Sequence, residues 1–536
     1  MIFLSCKKNN DTNTGSSNIT VDSVFIQRVY VRAGATLHNV PLGTATVKIS
    51  FLNAVNPAVF SKDAISFSGI DYDYQFSPDG KSMTLVTKSQ LSGLTSYTLN
   101  IQEGICEAGG KVVAGYKAYM VTVLDTVSKF PAISDSALLT KVQQQTFKYF
   151  WDYGHATSGL ARDRLGSADI VTTGGSGFGM MAILVGIERG FISRQEGFAK
   201  LLKMVTFLNR PNTDKFHGAF PHWMNGNTGK VFPFSTNDNG ADLVETAFLM
   251  EGLLTVREYF KAGTSADEQS LNNQITTLWQ NVEWDWFTQG GQNVLYWHWS
   301  PDKGWIINMQ IRGWDEALIV YILAASSPTH SISKQVYDNG WANNGAIRNG
   351  KVFYGYTLPL GEDKGGPLFF AHYSFLGLNP KNLQDVYANY WTQNVSHSKI
   401  NYSYCVANPK GYIGYGTNCW GLTASDIENG YAASSPNSDV GVIAPTAALS
   451  SFPYTPIESM QALHYFYYML GDKLWGAFGF YDAFNMSTGW FANSYLAIDE
   501  GPIIDMIENY RTGLLWNTFM STPDVKNGLN KLGFTY

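Results

Sequence analysis

Charge is scarce in this chain of 536 residues: Asp, Glu, Lys and Arg make up 15%, against about 25% in an average soluble domain. The 37 basic and 43 acidic side chains leave a formal net charge of −6. That balance excludes the basic face on which nucleic-acid binders depend, so no nucleic-acid partner is expected. Cysteine is also scarce, with four in the chain and no C-x-x-C pair. A cysteine zinc cluster and a dithiol redox site are therefore excluded. The nine histidines are scattered, and neither a metal nor an organic cofactor is expected. No Walker loop, G-x-G-x-x-G, H-E-x-x-H or G-x-S-x-G pattern occurs, which removes the common nucleotide, zinc-protease and serine-hydrolase readings. No run reaches the 18 or more apolar residues of a spanning helix.

What the chain has in excess is aromatic side chains. Its 15 Trp, 30 Tyr and 32 Phe amount to 14%. Such a composition suits a protein that stacks on neutral, flat-faced ligands such as sugars, and it equally suits a large core. The 45% of hydrophobic residues supply that core and confine disorder to the ends. The length points to one very large domain or to two domains.

The first residues, MIFLS, are apolar, and Cys6 follows at once, ahead of Lys7, Lys8 and a polar run to residue 18. This pattern resembles the end of a lipoprotein signal with Cys6 as the lipidated residue. It leads to the expectation of a periplasmic or outer-membrane-anchored lipoprotein, touching the membrane only through that anchor. Residues 1–18 then read as signal remnant and tether. Cys405 and Cys419 are close enough in sequence to form a disulfide or to remain two buried thiols.

Residues 19–125 carry short alternating runs rich in Val, Ile, Thr and Tyr. Examples are SVFIQRVYV (23–31), TVKISFL (46–52), SMTLVT (82–87) and SYTLNI (96–101). Turn residues such as Ser77-Pro78-Asp79-Gly80 separate them. The segment is expected to form an immunoglobulin-like β-sandwich, similar to bacterial modules that precede catalytic domains. Residues 126–135 read as a linker. From 136 to 536 the period is helical, with helices expected at 136–153, 179–188, 194–208, 242–260, 314–325, 457–470 and 502–519. Ten to twelve helices joined by long loops suggest an all-α (α/α)6 barrel.

Acidic residues cluster where these helices begin. Asp238, Asp242 and Glu245 fall at i, i+4 and i+7, on one face if the helix starts early enough. Asp315 and Glu316 precede the apolar run ALIVYILA, and the spacing turns Glu316 towards the core. Asp505 and Glu508 follow Pro502, which is expected to open its helix. Any one such acid can simply be a cap. Several together supply the two carboxyl groups that glycoside hydrolysis requires, one protonating the leaving oxygen and one acting on water or the sugar. Asp163 and Arg164 add to the polar set. Trp297, Trp299 and Trp314, with His372 and Tyr373, are candidates for holding a sugar.

The stretches FKYFWD (147–152), GLARDR (159–164), DNGADLVETA (238–247), GWDEAL (313–318), PLFFAHY (367–373), APTAALS (444–450), FGFYDAFN (478–485) and GPIIDMIENY (501–510) resemble the bacterial glycoamylase-like proteins, within them glycoside hydrolase family 144. That resemblance implies an (α/α)6 barrel, hydrolysis of β-1,2-glucan to sophorose or short sophorooligosaccharides, and inversion. It implies Glu316 as general acid, with Asp242, Glu245 and Asp505 as the remaining catalytic set and Asp238 beside them. Asp163, Arg164, Asp238, Trp297, Trp299, Trp314, Asp315, His372 and Tyr373 would bind the oligosaccharide or polysaccharide substrate. Two other readings stay open: a lipid-anchored glycan-binding protein, and a related hydrolase or transglycosylase on another β-glucan.

Overall fold

The computed structural model describes residues 18–104 and 111–536; Cys6, the tether and Cys106 lie outside the described residues. The chain divides into two units. One comprises residues up to 127 together with 485–490, and the other 128–484 and 491–536.

The first unit is β-rich. A five-stranded sheet runs in the order Val29–Tyr30, Val21–Ile26, Thr46–Phe51, Ser82–Thr87, Tyr72–Phe76. A four-stranded sheet runs Thr36–Val40, Tyr116–Thr122, Ser96–Ile101, Ile65–Phe67, with its first pair parallel. Alternation decides the faces: Val24, Ile26, Val47, Ile49, Met83 and Leu85 of one sheet share a core with Leu99, Ile101, Ala118 and Met120 of the other. The run expected at 23–31 is broken by Gln27 and Arg28, whose φ values of 49° and 67° make a tight turn between two strands.

The second unit is helical. Its fourteen helices among the described residues are α1 (Asp135–Trp151), α2 (Thr173–Glu188), α3 (Arg194–Asn209), α4 (Leu243–Tyr259), α5 (Ala266–Gln280), α6 (Leu318–Ser326), α7 (Lys334–Asn339), α8 (Tyr390–Ala407), α9 (Pro445–Leu449), α10 (Pro456–His464), α11 (Gly471–Leu474), α12 (Ala497–Arg511), α13 (Leu514–Phe519) and α14 (Pro523–Leu532). None is long and apolar enough to cross a membrane. Buried helices alternate with one-faced ones along the chain. Helices α2, α4, α6 and α12 are buried almost throughout, whereas α3 and α5 bury one stripe each, such as Leu271, Ile275, Leu278 and Trp279. The one-faced helices start at side-chain caps: Ser134 for α1, Ser193 with Glu196 for α3, and Ser265 for α5.

Helix α2 packs between α4 and α12. Glycines permit the approach: a Cβ on Gly177 would meet Phe248 O at 2.2 Å, and one on Gly252 would meet Gly177 O at 2.2 Å. Any side chain there would separate the two backbones.

Three helix boundaries differ from expectation. Helix α6 starts at Leu318, so Glu316 stands in the turn before it and does not project with Ile319 and Val320. The run at 457–470 becomes α10 followed by a wider-wound turn at Tyr465–Met469. Pro502 is the sixth residue of α12, not its first. Its missing N–H costs one helical bond, but the helix has already begun at Ala497 under an extended Leu496. Cys405 and Cys419 are free, buried thiols, not a disulfide.

Candidate active site

The N-terminal ends of α2, α4 and α12 and the turn before α6 assemble the acidic residues. Asp242 caps α4, its Oδ1 accepting from Val244 N at 3.0 Å and Glu245 N at 2.9 Å. Glu245 Oε2 accepts from Gly174 N, in the first turn of α2, at 2.6 Å. A Cβ on Gly174 would lie 2.7 Å from that oxygen, so glycine lets the α2 terminus reach the carboxylate. Helix N-termini offer free amides and a partial positive charge, which is why buried acids are tolerated here.

Two histidines flank Asp242. His222 Nδ1 lies 3.2 Å from Asp242 Oδ2, and its Nε2 lies 4.0 Å from Glu245 Oε1. Strand His298–Trp299 pairs with Ala241–Asp242, bringing His298 Nε2 to 3.5 Å from Asp238 and 3.6 Å from Asp242. Burial works against charge on His222, but Glu245 and Asp242 raise its pKa to about 9. Burial likewise opposes the charge on Asp242, yet the His222 hydrogen bond and both imidazoles bring it below its ordinary value. Glu245 goes the other way: burial and Asp242 lift it to about 7, against the pull of His222. Asp238 is raised by burial and by Asp242. One potential ligand atom each from His222, Asp238 and Asp242 falls within 4.8 Å of the others.

Glu316 completes this group. Ser374 Oγ donates to its carbonyl and accepts from Ile319 N at 3.0 Å, fixing the turn where α6 has no cap of its own. The Glu316 side chain is half-buried. Desolvation, with Asp242 and Glu245 nearby, raises its pKa to about 7. Asp315 is tied to Ala317 N at 2.8 Å and is held high by burial and by Glu316.

A second acidic group was not foreseen as such. Arg164 reaches Asp426 Oδ1 at 3.0 Å and Asp163 Oδ2 at 3.5 Å. Asp426 N donates to Asp482 Oδ2 at 2.6 Å. Asp482 and Asp499 are both buried, and the charge of Asp482 acts on Asp499. Burial and Asp426 bring Asp482 to about 7, and burial and Asp482 raise Asp499 well above its ordinary value. Tyr373 is buried against Phe178, Phe248 and Phe369, and burial, with Asp499, Tyr431, Glu316 and Asp482, raises its phenol well above the ordinary value. Asp499 heads the acidic stretch that runs through Pro502 to Glu508, but it was not among the expected site residues, the helix being expected to start at Pro502. Asp482 stands in the quoted stretch FGFYDAFN, where no helix start drew attention to it.

Several expected residues sit elsewhere. Asp505 is fully buried in mid-helix, where its electrostatic neighbours are Glu251 and Glu508; it is a core acid, not a member of either group. Trp314 is buried against Trp341, Phe375, Tyr390 and His397. His372 is buried against Ser451 at 3.0 Å, with its pKa lowered to about 3 by burial. Both are closed over by side chains from other stretches of the helical unit. Trp299 is half-buried among Phe216, His217 and Trp286. Trp297 is half-open and stacks on His298 at 5.7 Å. Trp223 Nε1 donates to Asp163 at 3.0 Å, and Phe234 lies over Trp223 and His222 at 4.7 and 4.5 Å.

A cavity of about 540 Å³ lies at the opposite helix ends, lined by Glu188, Arg189, Glu258, Tyr259 and Glu508 among others. Arg189 holds Glu508 through two bonds of 2.7 and 2.9 Å, so that carboxylate is not free for acid–base work.

The glycoamylase family model matches residues 308–523. An endo-β-1,2-glucanase from Chitinophaga pinensis, solved with sophorotriose and glucose, is 52% identical over 76% of this chain and 99% of its own, with a TM-score of 0.74. The chain belongs to the glycoamylase-like glycoside hydrolases of family 144. A β-1,2-glucanase from Parabacteroides distasonis is 37% identical, covering 98% of this chain and 74% of its own with a TM-score of 0.73. An exo β-1,2-glucooligosaccharide sophorohydrolase (non-reducing end) from the same species is 47% identical over 422 residues, 75% of this chain. The chain spans 58% of that relative's length.

Proposed function

We propose that this glycoamylase-like protein hydrolyses β-1,2-glucan, with Glu316 as general acid. The observation that carries the assignment is the half-open Glu316 carboxyl, raised to about 7 beside Asp242 and Glu245. A general acid works best with its pKa near the operating pH. Glu245 has a similar value but is buried, with one oxygen committed to Gly174. In this mechanism the Glu316 proton passes to the glycosidic oxygen as the bond from that oxygen to the anomeric carbon breaks. A water attacks the anomeric carbon from the opposite face, and the Asp482–Asp499 pair takes its proton, giving inversion. Asp242, kept ionised by two imidazoles, orients His222 and stabilises positive charge on the sugar ring. The alternation of buried and one-faced helices supports closure of the helical unit as an (α/α)6 barrel. The two facing sheets support an immunoglobulin-like assignment for the first unit. The Leu-Ser-Cys-Lys-Lys stretch around Cys6 is the support for placing the enzyme on a periplasmic lipid anchor.

Product analysis on linear β-1,2-glucan tests the reading. The wild type is expected to release sophorose or short sophorooligosaccharides, and Glu316→Gln to lose about 10²- to 10⁴-fold in rate. Release of no product by the wild type, with the glucan still bound, would replace the hydrolase by a glycan-binding protein.

A further inference from the structure

Two large apolar rings stand open to water beside the acidic site, and it is this position that distinguishes them from other exposed apolar side chains. Phe232 and Phe234 are 42% and 51% exposed. They flank Pro233 in the stretch that leads directly into Asp238. The stretch is held in place. Trp223–Asn225 pairs with Val231–Phe232. Phe234 N donates to Asp238 O at 2.9 Å, and Asp238 N to Ser235 O at 3.1 Å. Lys303 donates to Thr236 O and reaches Asn237 Oδ1 at 3.3 Å. One side of the Phe234 ring is covered by Trp223 and His222. His222 in turn contacts Asp242 and Glu245. The ring is thus fixed, open to water, and one side chain removed from the carboxylates.

We propose that Phe234 is a substrate-positioning residue, an aromatic platform on which one glucosyl ring of the glucan lies so that its linkage is presented to Glu316. This rests on the β-1,2-glucan hydrolase reading. A β-glucopyranose with equatorial hydroxyls presents C–H groups on both faces of its ring, and such a face packs on an aromatic plane without leaving a hydroxyl unpaired. The neighbouring Asp163, His222 and Asp238 then stand at the rim of that ring, where hydroxyl groups need partners. Phe234 touches neither the reacting bond nor an acidic side chain, so it acts on binding and not on the chemical step.

The test uses the full chain and initial rates on linear β-1,2-glucan for the wild type, Phe234→Ala and Phe234→Trp. Phe234→Ala is expected to raise KM roughly tenfold, the equivalent of one aromatic contact, with kcat within about twofold. Phe234→Trp is expected to restore KM, and the thermal midpoint of all three should agree because the ring is half-exposed. An unchanged KM in Phe234→Ala, a loss confined to kcat, or a failure of Phe234→Trp to rescue would overturn the proposal while leaving the hydrolase standing. A wild type that releases nothing from the glucan would remove the underlying reading, and the proposal with it.

Discussion

Glu316→Gln should slow the reaction by about 10²- to 10⁴-fold and, at neutral pH, make the protein more stable. The Glu316 carboxyl rises from 4.5 to about 7 through desolvation, with Asp242 and Glu245 adding to it. A folded-state pKa above the unfolded one means that stability is fully present below about 4.5 and declines as pH climbs to about 7. The interval corresponds to roughly 3 kcal/mol, or about 2 once partial opening of the side chain to water is allowed for. Glutamine copies the neutral acid in shape and cannot ionise, so the variant escapes this loss. The assay is urea unfolding of the helical unit at pH 4 and pH 8 for both proteins. Their midpoints should coincide at pH 4, and the variant should be the more stable by about 2 kcal/mol at pH 8. In parallel, wild-type kcat should fall as pH rises through about 7, because the acid must be protonated to act. Equal stability at both pH values would show that Glu316 is not desolvated, and the reason for choosing it as the acid would fail.

Asp505→Asn should keep kcat within about threefold while stabilising the fold above neutral pH, since a core acid raised by burial beside Glu251 gains nothing from ionising; a hundredfold loss of activity would return Asp505 to the site. Asp499→Asn should cost about 10²-fold or more in kcat and change the limb of the pH–rate profile that belongs to the base, because Asp482 and Asp499 act on one another's charge. A profile identical in shape to that of the wild type would exclude the Asp482–Asp499 pair as the base.

The helical unit was largely legible because its signal is periodic: α1, α3 and α4 begin and end within a few residues of their expected bounds. Caps at Ser134 and Ser193 are written in the chain itself. The first acidic group was legible for the same reason, since Asp242 is both a cap and a member of the site. What failed was the start of α12. Proline normally marks a first turn, and the rule left Asp499 and Glu500 ahead of the helix, while Asp505 entered the catalytic set through the family resemblance. The structure begins that helix five residues earlier, which turns the assignment round. His298 was out of reach of any helical argument, because it meets Asp242 through a strand pairing between residues far apart in sequence. Trp314 and His372 failed for another reason. Sequence shows that a residue is aromatic or titratable, but not whether the surrounding apolar side chains close over it.

The two ends of the buried helices treat their buried acids differently. Acids are buried at both. At the far end Glu508 also meets burial, but Arg189, Thr512 and Gln143 outweigh it and take the carboxyl below its ordinary value. A carboxylate at the C-terminal end of a helix faces a partial negative charge, so it needs a fixed cation, and a fixed cation locks it in the ionised form. At the near end the partners of Glu245 are the Gly174 amide, the Thr172 hydroxyl and a histidine, and that of Asp482 is the Asp426 amide. These tolerate either protonation state. Glu245 and Glu316, both raised to about 7, stand in or just before the first turn of a helix, and Asp482, also near 7, stands in the loop before Phe484–Asn485; proton donors and acceptors are thus available at this end of the unit, whereas Glu508 at the other end is held ionised.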